Sequence, residues 1–199
     1  SALRITAKHI PSSFLRVIFL KLGGVQIGKN VIIGSNNFFG DNVFIGDSVV
    51  IGSNNIISNS QIESNCVLND NILMSNTLLK SSNHVHRGVK FYCEEGVVIG
   101  SYCNILQYCS FEGISRIEIG SCCEISSFCN FFTVSSIDRA LTKTNRSNDE
   151  DKKLKSKSIS VDSNVWFGPL VTVYPGVSIG SCSGILSNSA VNKNVSEGK

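Results

Sequence analysis

The chain has 199 residues, 42% of them hydrophobic, with a net charge of +3; this is enough for one domain with a sizeable core, and the charge is too small and scattered to argue for nucleic acid. Its eight cysteines include no CxxC pair, so the spacing of a zinc cluster is missing. No secretory signal opens the sequence and the thiols read as free, so the expected compartment is the reducing cytoplasm.

The first element expected in chain order is a short helix after Pro11, starting near Ser12 and stopped by Gly23-Gly24. Its apolar run is interrupted by Arg16 and Lys21 and falls well short of the roughly twenty residues that span a bilayer. It is expected to cover the open edge of the repeating region that begins at Ile27, giving a helical cap over residues 1–24. Phe14, Ile18 and Phe19 with two flanking cations leave peripheral contact with the inner face of a membrane as a second use. His9, just before this helix, is expected at the surface or in the cap.

From Ile27 the chain keeps a beat of six: Ile27-Gly28, Ile33-Gly34, Phe39-Gly40, Ile45-Gly46, Ile51-Gly52 and Ile57. The beat resumes at Ile99-Gly100, Ile105 and Phe111, again at Ile119-Gly120, Ile125 and Phe131, and again from Phe167-Gly168 to Val191. A hairpin sheet has no reason to hold a period of six, and a helix would place apolar residues three and four apart; a short-period solenoid holds it naturally. Three flats of six close one turn, so Ile27 should lie under Ile45 and Asn37 under Asn55. The aliphatic residue fills the interior, and the glycine after it is expected to allow the bend at the corner. A second inward slot, four positions after each aliphatic, takes compact residues: Val31, Asn37, Val43, Val49 and Asn55, then Cys66, Cys103, Cys109, Cys123 and Cys129. Asn37 over Asn55 reads as a hydrogen-bonded ladder of the wall, and Cys122 should point outward.

Two breaks interrupt the count. The first, about residues 80–96, holds Asn83-His84-Val85-His86-Arg87. In an extended chain His84 and His86 share a face, which suits a metal pair, a base with an orienting neighbour, or simply two turn residues on a surface loop. A zinc site would need a third histidine, and none is suitably placed. The second break, residues 136–158, is long, polar and without repeats; it contains Asp138, Arg139 and Lys143 and is expected to protrude from one corner as an arm toward a neighbouring subunit.

The stretch 159–168, Ile-Ser-Val-Asp-Ser-Asn-Val-Trp-Phe-Gly, with Val173-Tyr174-Pro175-Gly176-Val177-Ser178-Ile179-Gly180 and the run 185–195, resembles the hexapeptide-repeat acyltransferases, most nearly the O-acetyltransferases of surface-polysaccharide synthesis. Residues 15–28 are similar to the helical entry of that subgroup. The resemblance implies an all-β, left-handed parallel β-helix over residues 25–199. The left hand is implied by the resemblance alone, since crossover chirality would favour the other. It also implies a homotrimer, acetyl-CoA as co-substrate in the groove between subunits, no metal, and a sugar or glycan acceptor. Gly168, Pro169, Ser187, Asn192 and Lys193 match the cofactor-contacting turns, with Lys193 suited to a CoA phosphate. A further turn touching the cofactor would usually come after Lys199.

In that family a histidine at the start of the long loop takes the acceptor proton. Here the stretch Thr133-Val134-Ser135-Ser136-Ile137-Asp138 places Ser136 in that position, and a serine hydroxyl is too weak a base near neutral pH. Ser136 therefore stands as the catalytic position with its base missing, Asp138 as an orienting or substrate-binding carboxylate, and His84 and His86 as alternative bases. Three functions are compatible with this pattern: an O-acetyltransferase on a glycan of a capsule, O-antigen or similar polymer; an N-acetyltransferase on an amino sugar nucleotide; or a trimeric scaffold that has lost the chemistry.

Overall fold

Alternation of one inward aliphatic and one outward residue builds short strands, and in a computed structural model describing residues 2–135 and 155–199 every ladder between them along the coil is parallel. The inward residues form columns. Ile27, Ile45, Ile62, Leu79, Ile99, Ile119, Val161 and Ile179 pair in succession on a first face, so the coil has about eight turns. A second face runs from Ile33 to Ile185 as one eight-stranded sheet. A third runs from Phe39 through Met74, Phe91, Phe111 and Phe131 to Val191. The first and third faces are joined because the strands Leu73–Leu79 and Lys90–Ile99 continue round the corner between them. The result is a three-sided all-β solenoid whose axis is a stack of buried aliphatic and phenyl groups. Phe91, Phe111 and Phe131 stack at centroid distances of 5.0 and 4.7 Å.

The expected break at 80–96 does not exist. His84–Val85 is an ordinary rung of the second face, paired to Val67–Leu68 below and Asn104–Ile105 above. The count fails there because turns vary in length: Ile45 pairs with Ile62 and Leu79 with Ile99. A residue is dropped at the Asn59 corner, and an irregularity between Tyr92 and Val97 adds residues. Corner length changes the sequence period while leaving the in-out alternation untouched.

The glycines also act differently from expectation. The left-handed backbone that turns each corner falls two residues later, at Asn30, Asn36, Asn42, Ser48 and Asn54 in the early coils. Later coils place Tyr102, Tyr108 and Phe128 there, which only the stacked ladder could hold in so unfavourable a conformation. The glycine after the aliphatic is required because the next coil lies against it. A Cβ on Gly120 would sit 2.5 Å from the Ser163 nitrogen and 2.6 Å from the Asp162 carbonyl carbon.

The asparagine ladder forms. Asn37 Oδ1 accepts from Asn55 N at 2.8 Å while its Nδ2 donates to Gly34 O and Gly52 O, and Asn55 Oδ1 accepts from Ile72 N at 2.8 Å. All five cysteines of the small slot are buried and free, and Cys122 is exposed. Burial pushes the Cys66 thiol up to about 11, so it stays protonated and donates to Lys80 O at 3.1 Å. Cys103 and Cys109 are likewise raised, first by hydrogen bonds to Cys123 and Cys129 of the next coil and then by burial.

At the first coil the expected helix, α2 (Ser13–Leu22), is joined by an unexpected one, α1 (Ala2–Ala7). Together they satisfy an otherwise open strand edge. Ser13 Oγ accepts from Ile33 N at 3.0 Å, Arg16 Nε donates to Ile33 O at 2.9 Å, and Asn36 N donates to Lys8 O at 3.0 Å. Arg4 reaches Gly23 O, Gly40 O and the Asp41 carboxylate. Arg16, read from the sequence as a flanking cation, is therefore an internal one, only 7% exposed. His9 is exposed.

Candidate functional site

Outward residues also stack into columns, and the second face carries one of unusual chemistry: His84, Asn104, Glu124 and Trp166 in successive coils. The rings of His84 and His86 stack at a centroid distance of 4.1 Å with 27° between their planes. His86 Nε2 lies 3.2 Å from Asn104 Oδ1, and its Nδ1 lies 3.4 Å from Gln107 Nε2. The neighbours fix the direction of both bonds: Asn104 Nδ2 donates to Glu124 Oε1 at 3.0 Å, and Ser127 Oγ donates to Gln107 Oε1 at 2.8 Å. Asn104 thus has an oxygen to offer and Gln107 an N–H, so both ring nitrogens of His86 are engaged.

His84 is the opposite case. No described side chain hydrogen-bonds its ring, and burial, followed by the nearby His86, lowers its pKa below the ordinary imidazole value. It is a neutral imidazole with a lone pair to give, braced by a neighbour that cannot rotate away. With both nitrogens of His86 engaged, the pair does not present two free lone pairs to a metal, and among the described residues no three potential ligands cluster.

The corner between the second and third faces continues this network. Arg87, Gln107, Ser127 and Pro169 occupy one place in successive coils, each carbonyl accepting from the residue just past the same place one coil on: Tyr108, Phe128, Leu170 and Asn188. Gly168 lies so close under Ser187 that a Cβ would come within 2.6 Å of its Oγ. Gly168, Pro169 and Ser187 therefore share one ridge with the His86 ladder, three to four coils along from His86 at about 4.8 Å per coil.

Asn192 and Lys193 fall elsewhere. They come just after the last strand of the third face and line a groove of about 350 Å³ running from Gly184 to Val195. This is the corner between the third and first faces, and the expected arm leaves by the same corner. Its neck is the antiparallel pair Val134–Ser135 with Lys155–Ser156, pinned by Ser156 Oγ donating to Thr133 O at 2.9 Å. Ser136 and Asp138 lie beyond that neck, outside the described residues. The ridge of Gly168, Pro169 and Ser187 and this corner stand at the two ends of the third face, so the residues expected to share one pocket are divided between neighbouring corners of a subunit.

Sequence reasoning missed Asn104, Gln107, Glu124 and Ser127. Their signal was present as a twenty-residue spacing, but it is readable only once that turn length is known.

The chain thus has the parallel β-solenoid fold with a histidine ridge on one side. No family model and no curated protein matches it. Acetyl- and acyltransferases are among the solved structures similar to it. They include the polySia-specific acetyltransferase NeuO, at 21% identity over 87% of this chain and 69% of that one, TM-score 0.46. AntD, an N-acyltransferase from Bacillus cereus in complex with dTDP and 3-hydroxybutyryl-CoA, gives 20% identity over 89% and 78%, TM-score 0.47. The polysialic acid O-acetyltransferase OatWY gives 16% over 85% and 80%, TM-score 0.34.

Proposed function

We propose that this chain is an acetyl-CoA-dependent O-acetyltransferase acting on a sugar of a surface polysaccharide, working as a left-handed β-helical homotrimer with His84 as general base. The observation that carries this reading is the neutral His84, whose ring has no described hydrogen-bond partner, stacked on an immobilised His86 and aligned on one ridge with Gly168, Pro169 and Ser187. Acetyl-CoA bound along that ridge supplies a thioester carbonyl. His84 takes the proton of a sugar hydroxyl as its oxygen bonds to that carbonyl, and the imidazolium then returns the proton to the departing thiolate. Imidazole suits both steps because its pKa lies near working pH. The close packing at Gly168 leaves the backbone bare, as a narrow extended ligand requires.

The division of expected contacts supports the trimer. His84, Gly168, Pro169 and Ser187 lie at or beside one corner of a subunit, while Lys193 and the neck of the arm lie at the next corner, across the third face. A closed ring brings one copy's ridge against the Lys193 corner of the next copy, where Lys193 is suited to a CoA phosphate. The test is release of free CoA from acetyl-CoA in the presence of a panel of glycans. Turnover lost in His84→Ala supports the assignment; turnover unchanged in His84→Ala overturns it. An intact chain that neither turns over nor binds CoA would instead be a scaffold, consistent with Ser136 standing where the family keeps its histidine.

A further inference from the structure

The cap helix α2 is apolar on two sides. Its inner side, Arg16 and Leu20 with Ser13, is spent on the first coil. Phe14, Ile18 and Leu22, each one turn after the last, form a stripe on the opposite side. Phe14 is 73% exposed and Leu22 68%, and Leu15 beside them is 44% exposed. α1 adds Leu3 and Ile5, also exposed. A helix facing only water on that side would carry polar residues there.

Charge indicates what covers this face. Residues 1–40 contain Arg4, Lys8, Arg16, Lys21 and Lys29 and not one Asp or Glu. The net +3 of the whole chain therefore hides a strongly basic cap on a neutral-to-acidic coil. Arg4 is paired with Asp41 and Arg16 is buried against Ile33. Among the described residues no carboxylate pairs with Lys8, Lys21 or Lys29. An apolar stripe with lysines that no described carboxylate neutralises fits a surface that is anionic outside and apolar beneath. A second copy of the chain fits poorly, because it would bring two basic caps together. We infer that the outer face of the cap docks in the interface of a membrane bearing anionic lipid, with Phe14, Ile18 and Leu22 inserted among the acyl chains and Lys8 and Lys21 at the headgroups. No described helix is long and apolar enough to cross a membrane, so this is attachment to one leaflet. The inference does not depend on the acyl-transfer chemistry and is tested without it.

The test is co-sedimentation of the full chain with phosphatidylcholine vesicles, with and without phosphatidylserine. Binding is expected to require phosphatidylserine and to weaken as salt is raised. Phe14→Ser with Leu22→Ser should lower partitioning at least about tenfold. Lys8→Gln with Lys21→Gln should lower it about fivefold per lysine and remove the preference for phosphatidylserine. Phe14 and Leu22 are outward side chains, so an unchanged melting midpoint is expected of that pair; should it fail to fold, the lysine pair, whose side chains meet no described carboxylate, still decides. A chain that ignores phosphatidylserine vesicles overturns the inference, as does binding that neither pair changes. A solution mass that falls in the Phe14→Ser/Leu22→Ser variant also overturns it, because the stripe would then be covered by protein.

Discussion

Among the described residues, His84 is set apart by combining a perturbed proton affinity with a ring that no side chain hydrogen-bonds, and this makes its role measurable by pH. Its pKa lies below the ordinary imidazole value because burial, and secondarily His86, disfavour the cation. A base must be neutral to act, so activity should hold at neutral pH and fall only as pH drops below about 6.5, the ordinary value. The acid limb of kcat/KM against pH is the measurement. Replacing His86 with Ala removes one of the two causes, so that limb should move toward higher pH; an acid limb that stays put in His86→Ala would show that the limb belongs to another group. His84→Ala should lower kcat by about two to four orders of magnitude without unfolding the chain. Gln107→Ala should act more mildly, through a His86 ring held at one nitrogen only. His84 and His86 were legible as a pair because a spacing of two shares a face in any extended chain. Their partners Asn104 and Gln107 were not, because the contact crosses coils.

At the scale of the coil, stability rests on contacts between successive turns, so the most damaging changes should be those that push turns apart or strip the ladder between them. Gly120→Ala sets a methyl against backbone of the next coil, which cannot give as a flexible side chain would; a loss of at least about 2 kcal/mol is expected. Gly184→Ala is the control, since a Cβ there meets nothing within 4 Å, and its effect should stay within about 0.5 kcal/mol. Asn37→Ala would orphan the Asn55 N–H and two carbonyls in a site only 3% exposed, for about 2–4 kcal/mol. Urea midpoints at unchanged m-value give all three numbers. The same physics explains what could be seen beforehand. The hexad beat and the small inward slot were readable because they are set by alternation within a turn. The continuity of the coil through residues 80–96 was not, because it is set by stacking on turns whose corners differ in length. The helix α1 went unseen because its six residues carry no periodic signal.

For the whole molecule the decisive question is whether one site draws on two subunits. His84, Gly168, Pro169 and Ser187 stand at one edge of the prism and Lys193 at the next, across the third face. If a single chain held a complete site, damage to His84 in one chain could never be repaired by an intact His84 in its neighbour. If the site lies between copies, it can. Consider assemblies made by co-expressing His84→Ala chains with Lys193→Glu chains, each nearly silent alone at limiting acetyl-CoA. In a mixed ring of three, one interface always joins an intact His84 to an intact Lys193, whichever variant is in the majority. Random equimolar mixing then restores about a quarter of the wild-type sites. Recovery near that level, together with a trimeric mass in solution, is the expected outcome. Mixed assemblies as silent as the parents would place both residues in a site within one subunit.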